Sequence, residues 1–557
     1  IDEKYPTYVI MPTVISSIEK LDEMINKMEI TYLANRSENM YYMLIGDCIS
    51  SNKEHIMIDD TIVAYAKEKL DKLNEKYEMP HKLFNFIYRK RVYCKSEAAY
   101  MGWERKRGAI SEFNKLVLGK LNYAEINKKF YLIYNDIIKA KYAITIDEDT
   151  NLSLNTAKDL VAIIAHPLNR PKLSKNGKIV KSGYGIITPA VGLDIESANK
   201  TLFSKIFGGF GGLDIYTTAV ANVYQDVFGE AIFCGKGVYD IELFEKLLGN
   251  EIPENLVLSH DLLEGSYMRT GFASDIEVQD GFPKNYISYM KRNHRWYRGD
   301  MQIIRWLLSP KSPINSLSKW KIFDNLRRPT VNLMGMIAII LSLFVSMHFF
   351  AFTILIVFLA INFGTLLGMI DKLIFGIHRH TKELQYIPII HGFDADLLTM
   401  SLNLINLPYT AYMCLDAFSK SLFRMIFSKR HLLEWTTADS LDKKTKKTVM
   451  YYYLSMIINV IVGLFVILYP SPNIYGNIGL VIYKDSIGIF FLLGPLFSYL
   501  LGKNYLLNRR KRLTPSQDKE ILEIGKRTWN FFDTLMTKTN NYLPTDNFQS
   551  SRRNKIF

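Results

Sequence analysis

The chain is 557 residues long and carries 69 Lys and Arg against 55 Asp and Glu, a net charge of +14, with 48% apolar residues; one small core cannot serve that length, so a single small domain is excluded. Residues 1–329 mix charges throughout, whereas long stretches between 331 and 502 carry almost none, so part of the chain is expected in lipid. Basic loops beside spanning helices account for the positive charge, and no nucleic-acid partner is expected.

Cys48, Cys94, Cys234 and Cys414 lie far apart with no CxxC or Cys/His spacing, which excludes a disulfide framework or a zinc site and suits a reducing cytosol. The chain opens at Ile1 without a signal peptide and stops in a polar run, so a piece of a longer polypeptide is expected.

In chain order, short apolar runs end in Pro or Asp: YVIMP (8–12), MYYMLIGD (40–47), LFNFIY (83–88) and KYAITID (141–147). They alternate with charged helical stretches, the order of an α/β domain with a largely parallel sheet, over residues 1–329. Ligands in such sheets bind beyond the carboxyl ends of strands, where Asp47 and Asp147 fall.

From Val331 to Met369 the apolar run is nearly unbroken; as one helix it would reach about 58 Å, roughly twice a hydrocarbon core. A hairpin turning near Met347 and His348 is therefore expected, with spans at 331–348 and 350–369 and two more at 449–469 and 485–502. The apolar stretch 397–427 is interrupted by Pro408, Asp416, Lys420 and Arg424 and reads as a pair of interfacial amphipathic helices. Basic residues cluster at 428–447 (Lys429, Arg430, Lys443, Lys444, Lys446, Lys447) and at 509–512 (RRKR), while the turns near 348 and 471–480 have none. This asymmetry orients a multi-pass protein of a bacterial-type inner membrane with residues 1–329, the central loop and the tail 503–557 in the cytoplasm.

Four segments carry chemistry. In ITIDEDTNL (144–152) an apolar strand ends in Asp147 and Asp149, and residues two apart in a strand share a face, so both carboxylates can address one divalent cation; a solvated acidic turn is the alternative. In SHDLLEG (259–265), Asp261 suits a general base with His260 orienting it, or else Ser259 and Asp261 merely start a helix. In MKRNHRWYRGD (290–300), Arg295 suits phosphate oxygens and Trp296 the face of a sugar. In GWERKRGAISEFN (102–114), Lys106 and Arg107 precede a helix beside Gly108, a cradle for a diphosphate.

Together, Asp47, Asp147 with Asp149, Asp261, and Arg295 with Trp296 resemble the pattern of the glycosyltransferase family 2 clan, with SHD in place of TED and Arg292 where a Gln would stand. Longer phrases narrow the resemblance: MGWERKRG, HPLNRP (166–171), VYQDVFGE, FCGKGVYD, SHDLLEG, HRWYRGDMQ, WKIFDNLRRP (320–329), RHLLEW (430–435) and YLPTDNFQ (542–549) are similar to the glycosyltransferase family 84 domain of cyclic β-1,2-glucan synthases.

The resemblance implies a GT-A-type, Rossmann-like α/β glycosyltransferase domain followed by an α-helical transmembrane region. It further implies an inverting, processive transfer from UDP-glucose, with Mg²⁺ or Mn²⁺, onto a growing β-1,2-glucan. Carried over by position, Asp47 matches the uridine contact, Lys106 the diphosphate contact, Asp147 and Asp149 the metal and donor site, and Asp261 the base. Arg295 and Trp296 match the gating and acceptor element, and Cys234, Gly235 and Lys236 an acceptor-side loop. Family members also carry separate cyclisation and phosphorylase domains. A processive synthase of another β-linked polysaccharide and a non-catalytic membrane scaffold are the alternatives.

The charge asymmetry makes a topology prediction: tags at residues 310, 440 and 520 are cytoplasmic and one at 475 is external. Protease accessibility in right-side-out cells checks it, and an accessible 440 or a protected 475 overturns it.

Overall fold

The apolar runs become the strands of one nine-stranded sheet. In chain order these are β1 (Thr7–Ile15), β2 (Met40–Cys48), β3 (Phe84–Arg89), β4 (Phe130–Leu132), β5 (Tyr142–Thr145), β6 (Asn151–Leu152), β7 (Ile186–Leu193), β8 (Gly237–Asp240) and β9 (Thr270–Asp280). Their spatial order is β4-β3-β2-β1-β5-β8-β7-β9-β6. β1 pairs in parallel with β2 and β5, β2 with β3, and β7 with β9. β8 runs antiparallel between β5 and β7. β1 is buried along nearly its whole length, as a strand covered on both faces must be. The computed structural model describes residues 1–77, 82–132, 137–208, 222–375, 393–434, 448–470, 478–503, 514–544, 548–549 and 555–556.

Helices α1 (Ile18–Ala34), α2 (Met57–Tyr77), α3 (Arg105–Val117), α4 (Thr156–Ala165), α5 (Asp261–Met268) and α6 (Tyr286–Gln302) follow. Apolar residues of α1, α2 and α4, such as Met24, Leu70 and Leu160, form a core on one face of the sheet. On the other face Ile110 and Phe113 of α3 pack with Leu262 and Leu263 of α5. The sheet is thus mixed α/β and mostly parallel, with its carboxyl ends left open between the two layers.

One expectation about local structure is corrected. β5 stops at Thr145, and Asp147 to Asp149 form a turn closed by the Thr150 amide donating to the Asp147 carbonyl at 3.1 Å. Asp147 and Asp149 therefore share a direction through a turn, not through strand alternation. Glu148 between them accepts from the Thr13 hydroxyl at 2.6 Å at the edge of the same cleft.

The apolar half is helical: α7 (Ser316–Leu343), α8 (Met347–Ile361), α9 (Phe363–Phe375), α10 (Phe393–Ile405), α11 (Leu407–Phe423), α12 (Val449–Ser455), α13 (Ile457–Leu468) and α14 (Ile478–Leu501). Among the described residues two helices, α7 and α14, are long and apolar enough to cross a membrane; counting the bent pairs α8–α9 (66°) and α12–α13 (72°) as single spans makes four. The hairpin turn comes a few residues earlier than expected, because the Ser346 hydroxyl accepts from the Phe349 amide at 3.2 Å and caps α8. α14 starts seven residues before the expected 485. Lys484 does not end the apolar stretch, since its ammonium donates to the Ile467 and Tyr469 carbonyls at 2.9 and 3.1 Å, the open end of α13. The basic residues at 443–447, the RRKR at 509–512 and the turn at 471–477 lie outside the described residues.

The stretch expected as interfacial helices forms α10 and α11, broken at Asn406 ahead of Pro408. α11 lies against α6: the Tyr286 and Thr410 hydroxyls meet at 2.9 Å, and His294 meets Asp416 at 2.8 Å. On its other side Leu407 and Ala411 join the core of α7, α8, α13 and α14. All these elements belong to the unit Ile1–Lys503, and Asn504–Phe557 forms a second unit around α15 (Pro515–Leu535), which Thr514 and Gln517 start with a capping box.

Where α6 meets α7, the Asp300 carboxylate accepts from Asn325 at 3.1 Å. Burial pushes its carboxyl up to about 6. A folded value above the unfolded one means the folded state binds the extra proton between them, so stability falls as pH rises from about 4 to about 6. Asp300→Asn is expected to raise the melting temperature above pH 6, with the gain disappearing near pH 4, as thermal unfolding in detergent at a series of pH values will show.

Candidate active site

The carboxyl ends of β2 and β5, the starts of α3 and α5 and the middle of α6 enclose a cleft of about 260 Å³ lined by acidic and basic side chains. Asp47, the next-to-last residue of β2, is held by the buried Arg89 of β3, whose guanidinium donates to Asp47 at 2.6 Å and to Glu112 at 2.8 Å. The same guanidinium bonds the Trp103 and Arg105 carbonyls and so fixes the turn into α3. Burial outweighs Arg89 at Asp47 and raises its carboxyl above the usual range.

From that turn Lys106 reaches the centre of the cleft, its ammonium 2.6 Å from Asp147 and 3.2 Å from the Gly235 carbonyl. Arg107 does something different: it pairs with Glu104 at 2.5 Å and donates to the Ile252 carbonyl at 3.4 Å, with its side chain 9% exposed. Lys236 bridges Asp147 at 2.8 Å and Asp280 at 2.9 Å. Burial opposes ionisation of Asp147, but Lys106 and Lys236 outweigh it and hold its carboxyl well below the usual range. Asp149 is pushed up to about 6, by burial first and then by the charges of Asp280 and Asp147. Cys234 sits beside Thr188 at 3.9 Å.

This geometry bears on a divalent cation. Asp147 and Asp149 line one cleft beside the further carboxylate of Asp280, and the crowding raises Asp149, the electrostatic situation that a cation relieves. Both Asp147 oxygens pair with ammonium groups, Lys106 at 2.6 Å and Lys236 at 2.8 Å, so an ion held here would take the place of one of them. His260, Asp261 and Glu264 also offer ligand atoms within 4.8 Å of one another among the described residues. There, however, the 2.7 Å contact of His260 Nδ1 with Glu264 is a hydrogen bond that already uses the nitrogen.

Asp261 is the first residue of α5, and no side chain caps that helix: His260 stands at the cap position without a capping bond. Ser259 instead lies against Gly299 of α6, where a Cβ would come within 2.4 Å of the serine Cβ. Asp261 and Lys106 converge on Gly235, which has φ +83°; a Cβ there would lie 2.8 Å from the Asp261 carboxylate and 3.0 Å from the Lys106 ammonium. Only glycine allows that approach.

Arg292, Arg295 and Trp296 come from successive turns of α6. Arg292 stacks over the Trp296 ring at 4.9 Å and leaves the indole 39% exposed at the cleft. Burial lowers Arg295, against the opposing charges of Asp147, Asp149 and Asp261. Leu433 closes another side: its carbonyl accepts from Arg105 at 2.9 Å and its amide donates to Glu97 at 2.9 Å. Gln302 ties the neighbouring Leu432 carbonyl at 3.0 Å to the Leu258 amide at 2.7 Å.

Asp280 and Glu264 escaped the sequence reading. Asp280 ends β9 ahead of Gly281, but that strand (TGFASDIEVQD) is not an apolar run, so the pattern that singled out Asp47 and Asp147 does not mark it. Glu264 had only its i+4 spacing from His260 as a signal.

Gly235→Ala is expected to lower turnover on UDP-glucose, the donor that the resemblance implies, by about tenfold or more through displacement of Asp261 and Lys106. Kinetics beside thermal unfolding check this, and unchanged turnover in a folded variant would show that the close approach has no role.

No family model matches the chain. Cyclic beta-(1,2)-glucan synthase NdvB of Rhizobium meliloti (strain 1021) is 30% identical over 558 residues, which cover 99% of this chain and 19% of the relative. The motifs of the cleft, the α/β sheet and the apolar helices all lie within the aligned length, so this chain is homologous, from end to end, to one segment of a cyclic β-(1,2)-glucan synthase.

Proposed function

We propose that the chain is an inverting, processive glucosyltransferase of a bacterial-type inner membrane, with its cleft in the cytoplasm, that polymerises glucose from UDP-glucose into β-1,2-glucan. The observation that carries this reading is the convergence of Asp261 and Lys106 on Gly235, with Asp147 bonded to the far side of Lys106. A proton acceptor and a cation for a diphosphate thereby stand side by side, as displacement at a sugar anomeric carbon requires.

In this reading the acceptor hydroxyl oxygen bonds to the anomeric carbon, its proton passes to Asp261, and the bond from that carbon to the diphosphate oxygen breaks with the electron pair leaving on UDP. Asp47 faces the uridine, Lys106 and Arg295 meet the diphosphate, and the exposed face of Trp296 supports the acceptor sugar. Asp147 and Asp149 would hold Mg²⁺ or Mn²⁺, which would supply positive charge to the leaving group. Arg107, committed to Glu104, contributes by fixing the start of α3. Cys234, Gly235 and Lys236 shape the acceptor side. Because the chain spans 19% of its relative, further cyclisation or phosphorylase domains of a parent protein are part of the proposal.

Two substitutions separate chemistry from binding. Asp261→Asn keeps shape but cannot take the proton, so kcat is expected to fall about 10²- to 10⁴-fold with UDP-glucose affinity little changed. Asp149→Ala is expected to abolish nucleotide-sugar binding together with turnover. Linkage analysis of the product from UDP-glucose and a β-1,2-glucan primer tests the whole reading; a preference for UDP-N-acetylglucosamine, or another linkage, overturns it.

A further inference from the structure

Glu264 is 2% exposed and lies one helical turn beyond His260. An acidic residue in the first turn of a helix ordinarily faces the open amides or the solvent. Glu264 does neither. Its carboxylate accepts from His260 Nδ1 at 2.7 Å, and the same nitrogen lies 3.6 Å from the Asp261 carboxylate. A buried carboxylate without a charged partner is costly, so this contact commits Glu264 and the imidazole to each other.

We propose that Glu264 is a positioning residue of the glycosyl transfer: through His260 it keeps a cation against Asp261 and so keeps the base aimed at the acceptor hydroxyl. This rests on the reading of Asp261 as the base.

Burial works against a charge on His260, yet Glu264 and then Asp261 raise it above its ordinary value. The imidazole therefore keeps its own proton, held on Nδ1, and the proton from the acceptor hydroxyl goes to Asp261. The other charged groups facing the unit are Lys106 of α3, which opposes the imidazolium, and Arg295 of α6, which interacts with Asp261. Both belong to the donor side. Of the two carboxylates that raise the imidazole, Glu264 is the nearer, at 2.7 Å against 3.6 Å for Asp261.

Glu264→Gln keeps the size and an acceptor oxygen but removes the charge. Its kcat is expected to fall about tenfold or more, and the acidic limb of the kcat–pH profile to move up by about one pH unit or more, since an opposite charge within 4 Å favours a carboxylate's ionised form. UDP-glucose affinity should stay close to wild type, while the melting temperature falls because the buried imidazole loses its charged partner. His260→Asn removes the intermediary and should move the same limb in the same direction; in that background Glu264→Gln should add nothing. A purely structural Glu264 would lower stability without moving the limb. If Asp261→Asn abolishes turnover while neither Glu264→Gln nor His260→Asn shifts the limb, or if the Glu264 effect persists without His260, the proposal is overturned. Should Asp261→Asn retain turnover, the base assignment itself fails.

Discussion

A run of alternating charges, Lys106, Asp147, Lys236 and Asp280, crosses the carboxyl ends of the sheet with successive separations of 2.6, 2.8 and 2.9 Å. Each member comes from a different element: the start of α3, the turn after β5, the approach to β8 and the end of β9. Lys236 and Asp280 are buried, and separating such a pair typically costs about 3–5 kcal/mol; Lys106 and Asp147 are partly exposed and add less, and together the contacts hold the four elements in register. Arg89 does the same on the other side of β1, joining Asp47 to Glu112 and to the turn into α3. The cleft is therefore built by electrostatic closure of strand ends that the hydrophobic core alone leaves open. Among the described residues Asp149 has no such ammonium contact, and burial with the charges of Asp280 and Asp147 raises its carboxyl above the usual range.

The cleft is coupled to the apolar helices through α6. That helix offers Arg292, Arg295 and Trp296 to the cleft, and Tyr286 and His294 to α11. α11 in turn packs its Leu407 and Ala411 among the apolar helices. A displacement of α11 therefore reaches the rim of the cleft through one intervening layer of side chains.

What was legible in the sequence follows from local rules, and what was not follows from contacts between distant segments. The strands announced themselves as apolar runs, and Asp47 and Asp147 were found because a run ended in an acid. Strand alternation was a sound argument applied one step too far along the chain: β5 ends before Asp147, and a turn does the work instead. Arg107 stands next to Lys106 in the sequence, yet one residue of helix rotation turns it toward Glu104. Lys236 reads as part of an acceptor loop until its two carboxylate partners, 89 and 44 residues away, are brought beside it. The helix boundaries in the apolar half show the same limit. Lys484 looked like a stop because its partners, the carbonyls of Ile467 and Tyr469, are contributed by another helix, and Asn362 gave no sign of bonding to the Met400 carbonyl across a bend.

α7 belongs to two cores. Lys321, near its start, is buried against Glu230 and the Ala231 carbonyl of the α/β domain, while Met336, Ile339 and Leu343 lie in the core of the apolar helices. Pro329 sits between these parts, and the helix runs through it without a break from Ser316 to Leu343. One continuous helix spans the boundary, so a single element joins the α/β domain to the apolar helices. Any group bound in the cleft therefore lies at a distance from the apolar helices that this one helix sets.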